Sequence, residues 1–157
     1  MRSPKTAVAI VVALLALTAL AQDRAGEADA KKVAAKLVEI AKAKGLAGVV
    51  DAVNNTDVCL ANKDKGLACG VYDGDFKVLA NPLRPALVGQ TMKDLLDPDG
   101  KNISLGMVGP VKGEPKQLSW EFDFKFNQPG SKVIGLRRAY CARLDANSAA
   151  CVAVVKG

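Results

Sequence analysis

The chain has 157 residues, a formal net charge of +6 and no histidine. Its basic residues are scattered and are not interleaved with aromatic residues, which argues against nucleic-acid binding. A serine or cysteine nucleophile would lack its usual histidine base, so the chain is not predicted to be an enzyme.

Residues 1–21 are predicted to be a secretory signal peptide. A basic start precedes the apolar run AVAIVVALLALTAL, and small residues then permit cleavage after Ala21. The run is short for a membrane span, although an uncleaved N-terminal anchor is the alternative. We therefore expect a periplasmic or secreted protein with no membrane segment after cleavage, and with residues 27–157 forming one domain.

Four cysteines follow the predicted signal peptide: Cys59, Cys69, Cys141 and Cys151. An even number of cysteines in an exported chain indicates disulfides. Three pairings are open, and the spacing favours Cys59 with Cys69 and Cys141 with Cys151. Free thiols and a zinc site are alternatives, but neither pair has the short spacing of a zinc knuckle, so no metal is expected.

Residues 27 to about 54 are predicted to form a helix that packs on a sheet. Apolar residues recur on one face of this helix, at Val33, Leu37, Ile40 and Ala41. Gly45 and Gly48 are expected to kink or divide the helix. A basic helix lying on a membrane surface is the alternative interpretation.

A tight hairpin is predicted where Val71-Tyr72 and residues 76–79 flank Asp73-Gly74-Asp75, because glycine tolerates the positive φ of such turns. Residues 79–101 follow as a segment rich in proline and glycine, and LVGQTMKDLLD within it has room for one or two helical turns. Asp97 and Asp99 fail the pattern of a calcium loop and are predicted to form a turn. A short helix is expected within residues 102–117.

The C-terminal third is predicted to contain three strands. LSWEFDFKF alternates aromatic and charged residues with a period of two, and KVIGLRRAYCARL and AACVAVV supply the other strands. The loop DANS would then place Cys141 and Cys151 on neighbouring antiparallel strands. The order of helix, two strands, loop region and three strands indicates an α+β domain.

Four residues in these strands are considered as candidates for a binding site. Arg137 and Arg138 are consecutive in a strand, so their side chains point to opposite faces, and one of them would be placed to hold a carboxylate. A solvated charge is the alternative for either arginine. Trp120 and Tyr140 suit the wall of a small pocket, with ordinary core packing as the alternative.

The stretch VYDGDFKVLANP…LVGQTMKDLLDPDGK resembles the signature of single Cache domains of type 2, which are extracytoplasmic sensor modules of the PAS-like superfamily. The strand of Trp120 and the sequence Arg138-Ala139-Tyr140 are also similar to the family's strands, and the resemblance runs from about residue 33 to 155. It implies a long N-terminal helix packed on an antiparallel sheet of about five strands. It also implies recognition of small molecules, often organic anions.

Carried over by position, the resemblance implies ligand-binding roles for Tyr72, Asn81, Trp120, Arg138 and Tyr140. Arg138 would neutralise an anion, Asn81 and Tyr140 would orient it, and Trp120 would cover it. Asn81 replaces a common histidine of the family, and so keeps hydrogen bonding without titrating near neutral pH. The four cysteines lie outside the family pattern.

The function predicted on this basis is binding of a small organic ligand such as a carboxylate, without a cofactor, with any signalling passing through a protein partner. One alternative is a periplasmic interaction or scaffold protein whose pocket is closed by side chains. Thiol redox chemistry at Cys59 and Cys69 is a third hypothesis.

Overall fold

The computed structural model describes residues 25–113, 117–127 and 132–156. The predicted signal peptide and most of the turn after Asn127 lie outside the described residues. The described helices and strands are, in chain order, α1 (Glu27–Asn55), α2 (Asp57–Leu60), β1 (Ala68–Asp73), β2 (Val78–Ala80), α3 (Ile103–Lys112), β3 (Ser119–Asn127), β4 (Ile134–Arg143) and β5 (Ser148–Val155).

The five strands form one antiparallel sheet in the order β2-β1-β5-β4-β3. Its central strand, β5, pairs with β1 on one side and with β4 on the other. The predicted α+β architecture, a long N-terminal helix on a five-stranded antiparallel sheet, is confirmed.

Helix α1 covers one face of the sheet. Leu37, Val49 and Val53 are fully buried against sheet residues such as Val152 and Val154. The helix is interrupted at Gly45, where φ is 67° and ψ is −172°, as the glycine pattern predicts. Burial of this apolar stripe is the main contribution of α1 to stability. Among the described residues, no helix combines the length and apolar character needed to cross a membrane.

Helix α3 and the segment before it cover the opposite face of the sheet. Asn102 caps the helix through its Oδ1, which accepts a hydrogen bond from the backbone N–H of Leu105 at 2.9 Å. At the other end, the guanidinium of Arg143 donates to the carbonyls of Pro110 and Val111, at 2.8 Å each. Both ends of α3 are thereby satisfied, and the helix is fixed over the sheet.

The predicted hairpin forms between β1 and β2, but glycine plays a different part in it. The positive φ of the turn, 66°, lies at Phe76. Gly74 instead allows Asn147 to approach the turn closely, since a Cβ at position 74 would lie 2.3 Å from Oδ1 of Asn147. The Asp73 carboxylate accepts two backbone N–H groups of the turn, at 2.9 Å each, and holds it closed.

Two disulfides use all four cysteines. Cys141 and Cys151 face each other directly across β4 and β5, with Cα atoms 4.1 Å apart. Cys59 on α2 joins Cys69 on β1, with Cα atoms 6.0 Å apart. The pairing that the cysteine spacing favoured is therefore confirmed.

Candidate functional site

A cavity of about 370 Å³ lies between the sheet and the layer that contains α3. Its floor is formed by small residues of β1, β4 and β5, namely Ala68, Gly70, Ala139 and Ala153. Its cover is apolar and comprises Leu83, Leu87, Met92, Leu95, Ile103 and Met107. The floor side chains are small and do not reach the cover, which leaves the space between them open. The volume of the cavity is within the range of small-molecule sites.

Tyr72 lies in the cavity because its neighbour on the same strand face is glycine. A Cβ at Gly70 would lie 2.1 Å from the Tyr72 hydroxyl oxygen, so the ring occupies the place of a side chain. Burial raises the pKa of Tyr72 to about 12, despite the opposing effect of the Arg84 charge. The hydroxyl therefore stays protonated at neutral pH and is available as a hydrogen-bond donor.

Arg137 is the buried cation of the cavity and is only 4% exposed. One Nη donates to the carbonyls of Gly66 and Ala153, at 2.8 and 3.3 Å, whereas Nε is buried without a hydrogen-bond partner among the described residues. Burial lowers the pKa of Arg137, and the nearby charge of Arg84 lowers it further. The fold thus contains a desolvated positive charge whose hydrogen bonds are incomplete.

Arg84 is the second cation of the cavity. Its guanidinium lies over the ring of Phe126, with 4.7 Å between its central carbon and the ring centroid. None of the described residues that line the cavity is an aspartate or a glutamate. Arg84 is exposed to solvent, so of these two arginines only Arg137 is buried, and neither has an acidic partner among the described lining residues.

Asn81 also lines the cavity and shapes the turn that carries Arg84. Its Oδ1 accepts a hydrogen bond from the backbone N–H of Arg84 at 3.0 Å. Its Nδ2 makes no hydrogen bond within the described part of the chain and remains a donor. Tyr72 and Asn81 are thus the two residues of the predicted ligand set that lie in the cavity wall.

Asp97 fixes the segment that closes one side of the cavity. Its Oδ1 accepts backbone N–H groups from Asp99 and Lys101 at 2.9 Å, and its Oδ2 accepts that of Lys125 on β3 at 3.1 Å. Burial raises the pKa of Asp97, but these three hydrogen bonds outweigh burial and lower the pKa overall. Asp97 therefore forms the predicted turn and also ties the turn to the sheet.

The other three predicted ligand residues lie outside the cavity lining. Trp120 packs beneath α3, where its Nε1 donates to the carbonyl of Gly106 at 2.9 Å. Arg138 and Tyr140 lie on the opposite face of β4, toward α1. The arginine of the strand that reaches the cavity is consequently Arg137.

Arg138 and Tyr140 anchor the start of α1 to the sheet. Arg138 binds both carboxylate oxygens of Asp123, at 2.6 and 2.9 Å, and lies 3.7 Å from Glu27. The Tyr140 hydroxyl donates to Glu27. The hydrogen bonds from Arg138 are the largest cause of a strongly lowered pKa at Asp123, and Lys156 contributes a second ion pair at 2.7 Å. Arg138 is therefore compensated within the protein.

Sequence reasoning did not identify Arg84 as a cavity residue and selected Arg138 over Arg137. The structure shows why Arg137 is the cavity arginine, since it stands directly opposite Phe124 in the β3–β4 ladder, a register that the sequence alone does not give. Residues opposite each other in a ladder share a face, so Arg137 belongs to the aromatic face of β3. Arg84 lies in an irregular segment where no periodicity predicts orientation.

The structure has a PAS-like α+β fold, in which α1 covers one face of the five-stranded antiparallel sheet and α3 covers the other. Similar solved structures are a periplasmic sensor domain of a chemotaxis protein, with 20% identity and a TM-score of 0.57, covering 80% of this chain and 90% of that one. A Cache chemosensory domain described for carboxylic acid recognition has 16% identity and a TM-score of 0.58, covering 82% and 86%. A methyl-accepting chemotaxis protein from Vibrio parahaemolyticus has 16% identity and a TM-score of 0.55, covering 82% and 89%.

The fold of this chain is that of a single Cache domain. No family model matches the sequence, and no curated protein matches it.

Proposed function

We propose that this protein is a non-enzymatic, sensor-type Cache domain that binds a small organic anion in the cavity. The observation that carries the proposal is the buried Arg137, whose Nε has no partner in a cavity that no described acidic side chain lines. A desolvated cation without a counter-ion is costly, and an anionic ligand would supply that counter-ion. A carboxylate, with two oxygens in a plane, suits a guanidinium.

In this proposal Arg137 and Arg84 neutralise the anion, and Tyr72 and Asn81 donate hydrogen bonds to it. Trp120 acts from outside the cavity by holding α3 over the sheet. Arg138 and Tyr140 act by holding α1 on the other face. An open volume of about 370 Å³ favours ligand binding over a scaffold whose pocket is filled by side chains.

The proposed compartment is the periplasm or the exterior of the cell. Two disulfides suit an oxidising environment, and one solved structure of the same fold is a periplasmic sensor domain. We propose that the signal peptide is cleaved after Ala21 and that signalling passes through a protein partner. N-terminal sequencing of the exported protein tests the cleavage, and a mature chain that retains residues 1–21 would contradict it.

A thermal-unfolding screen tests the binding proposal. Small carboxylates are expected to raise the midpoint, because a ligand present at a hundred times its dissociation constant stabilises the native state by about 2.7 kcal/mol. Alkyl amines of matched size are the control, since two guanidinium groups repel a cation. Stabilisation by amines and not by carboxylates, or by neither class while the protein is folded, would refute the proposal.

A further inference from the structure

Strand β3 lies at one edge of the sheet and is nine residues long. It pairs with β4 on one side, and no described strand lies on its other side. The backbone N–H of Lys125 is bound by the Asp97 side chain, so Lys125 directs its backbone groups away from β4. Backbone direction alternates along a strand, and Ser119, Glu121 and Asp123 therefore point outward as well. A long edge strand of this kind is a template for pairing with another strand.

Residues 97–101, the edge turn, cover the middle of this edge. Oδ2 of Asp97 accepts the backbone N–H of Lys125 at 3.1 Å, and the ammonium of Lys101 donates to the carbonyl of Asp123. Oδ2 of Asp99 forms an ion pair with Nζ of Lys125 at 2.7 Å. The edge turn therefore occupies two outward backbone groups that a second strand would need.

The edge turn is also closed by hydrogen bonds of its own. Oδ1 of Asp97 accepts the backbone N–H groups of Asp99 and Lys101, at 2.9 Å each. The backbone N–H of Asp97 donates to the carbonyl of Lys101 at 2.8 Å. Asp97 thus uses one carboxylate oxygen within the turn and the other on β3. The contacts with the strand can be removed by side-chain substitutions that leave the hydrogen bonds of the turn in place.

The charged face of β3 is complementary to itself. In an antiparallel pair of two copies with Asp123 opposite Asp123, all nine residues of each strand are paired. Glu121 of each copy then stands opposite Lys125 of the other, and both side chains are exposed, so two cross-strand charge pairs form. The two Asp123 carboxylates do not oppose this register, because each is already bound by Arg138 and Lys156 of its own chain.

The aromatic face of β3 is complementary in the same register. Trp120 of each copy stands opposite Phe126 of the other, and Phe122 stands opposite Phe124. Aromatic pairs directly opposite each other are among the side-chain pairs that stabilise a sheet. Both faces of the strand therefore match when the same strand is reversed against itself.

We propose that β3 is a pairing surface for a second copy of this chain, and that the edge turn keeps this surface closed. The pair has two-fold symmetry, so it joins two sheets into one and leaves no β3 edge for a third copy. The partner is a second copy because the charges and the aromatic residues match those of the same strand reversed. Pairing requires no ligand, so its failure would leave the proposed function intact.

Asp97→Asn combined with Lys101→Met opens the edge and preserves the turn. The asparagine oxygen still accepts the hydrogen bonds of the turn, but an amide NH₂ replaces the oxygen that accepts from Lys125. The self-association constant, measured by sedimentation velocity, is expected to rise at least about tenfold over that of the unaltered protein, because two backbone groups are freed for pairing. Asp94→Asn with Lys93→Met makes the same changes at exposed positions of the preceding segment, and is expected to leave self-association unchanged.

Charge substitutions in the opened variant test the register. Glu121→Lys sets like charges opposite each other in the pair, and so does Lys125→Glu. Each is expected to reduce self-association of the opened variant about tenfold, since two cross-strand pairs change from attractive to repulsive. An equimolar mixture of the two is expected to regain it, because opposite charges again face each other at both positions.

Exchange of the Lys125 amide hydrogen, followed by nuclear magnetic resonance, reports whether the edge has opened. Faster exchange in the opened variant without self-association would refute the pairing surface. Exchange that stays slow, both in this variant and in Asp97→Ala, would refute the role of the edge turn. Self-association that ignores the charge substitutions, or that the mixture fails to restore, would place the contact outside β3 and overturn the proposal.

Discussion

Replacement of Arg137 by methionine is expected to separate binding from stability. The substitution keeps a long side chain in the floor of the cavity and removes a buried charge that is only 4% exposed. It also removes the hydrogen bonds to the carbonyls of Gly66 and Ala153, at 2.8 and 3.3 Å. The two effects on the free energy of unfolding have opposite signs.

The size of each effect follows from the surroundings of the arginine. A buried ion costs several kcal/mol of desolvation, whereas hydrogen bonds to a charged group contribute about 1.5–3 kcal/mol each. The net change in the free energy of unfolding is therefore expected to stay within about 2 kcal/mol. Loss of one partner from a buried ion pair costs about 3–5 kcal/mol, so the affinity for a carboxylate is expected to fall by at least about a hundredfold.

Arg138→Met is the matched control, because it makes the same substitution one residue along the strand. Arg138 binds Asp123 through two hydrogen bonds on the face toward α1, and its side chain is partly exposed. We expect it to lower stability by about 1 kcal/mol and to leave carboxylate affinity unchanged. Thermal unfolding and calorimetric titration of both variants measure the two quantities. Loss of affinity in Arg138→Met with normal affinity in Arg137→Met would refute the assignment of the cavity arginine.

Three further predictions concern the sheet and its covering segments. Asp123 has a pKa well below its ordinary value of 3.8, so its contribution to stability is present above that pH and is lost as the pH falls toward the folded-state pKa. Asp123→Asn is therefore expected to destabilise the protein at pH 7. It is also expected to flatten the acid limb of a curve of unfolding free energy against pH. Removal of the Cys59–Cys69 disulfide by a double serine substitution is expected to cost about 3 kcal/mol in chemical denaturation, since the bond closes a loop with a sequence separation of 10. Gly70→Ala is expected to displace the Tyr72 side chain, whose hydroxyl oxygen lies 2.1 Å from the position of the new Cβ, and to weaken carboxylate binding in calorimetric titration.

Each of these predictions has an outcome that would contradict it. An unchanged acid limb in Asp123→Asn would mean that other carboxyl groups dominate acid unfolding. A double serine variant as stable as the parent would mean that the loop is equally restricted without the bond. For Gly70→Ala, Gly70→Ser is the graded companion, and normal affinity in both would show that the Tyr72 hydroxyl does not contact the ligand.

The architecture was predictable because its elements carry strong local patterns. The alternation of aromatic and charged residues in β3 fixes a strand whatever it packs against, and the DANS loop aligns Cys141 with Cys151. The hairpin turn shows the limit of such reasoning. A glycine in a turn indicates positive φ, but the structure uses Gly74 to admit Asn147, a residue distant in sequence. Tertiary contact of this kind leaves no local signal.

The site was predictable only in part, for a related reason. Strand alternation shows that Arg137 and Arg138 point to opposite faces, but the choice between faces depends on register with β3 and on the segment that covers the sheet. Trp120 lies on the aromatic face, yet α3 covers it through Gly106. Arg84 reaches the cavity from irregular backbone, where its direction is set by packing on Phe126.

The two consecutive arginines of β4 differ in how their charge is compensated. Arg138 has its counter-ions within the fold, since Asp123 accepts two hydrogen bonds from it and Glu27 lies nearby. Arg137 is more deeply buried, and its hydrogen bonds to the described residues go to backbone carbonyls, which carry no net charge. A structural ion pair requires both partners in the chain, whereas a binding site requires that one partner be left for the ligand. By this criterion Arg138 docks helix α1, and under the proposed function the ligand is the partner of Arg137.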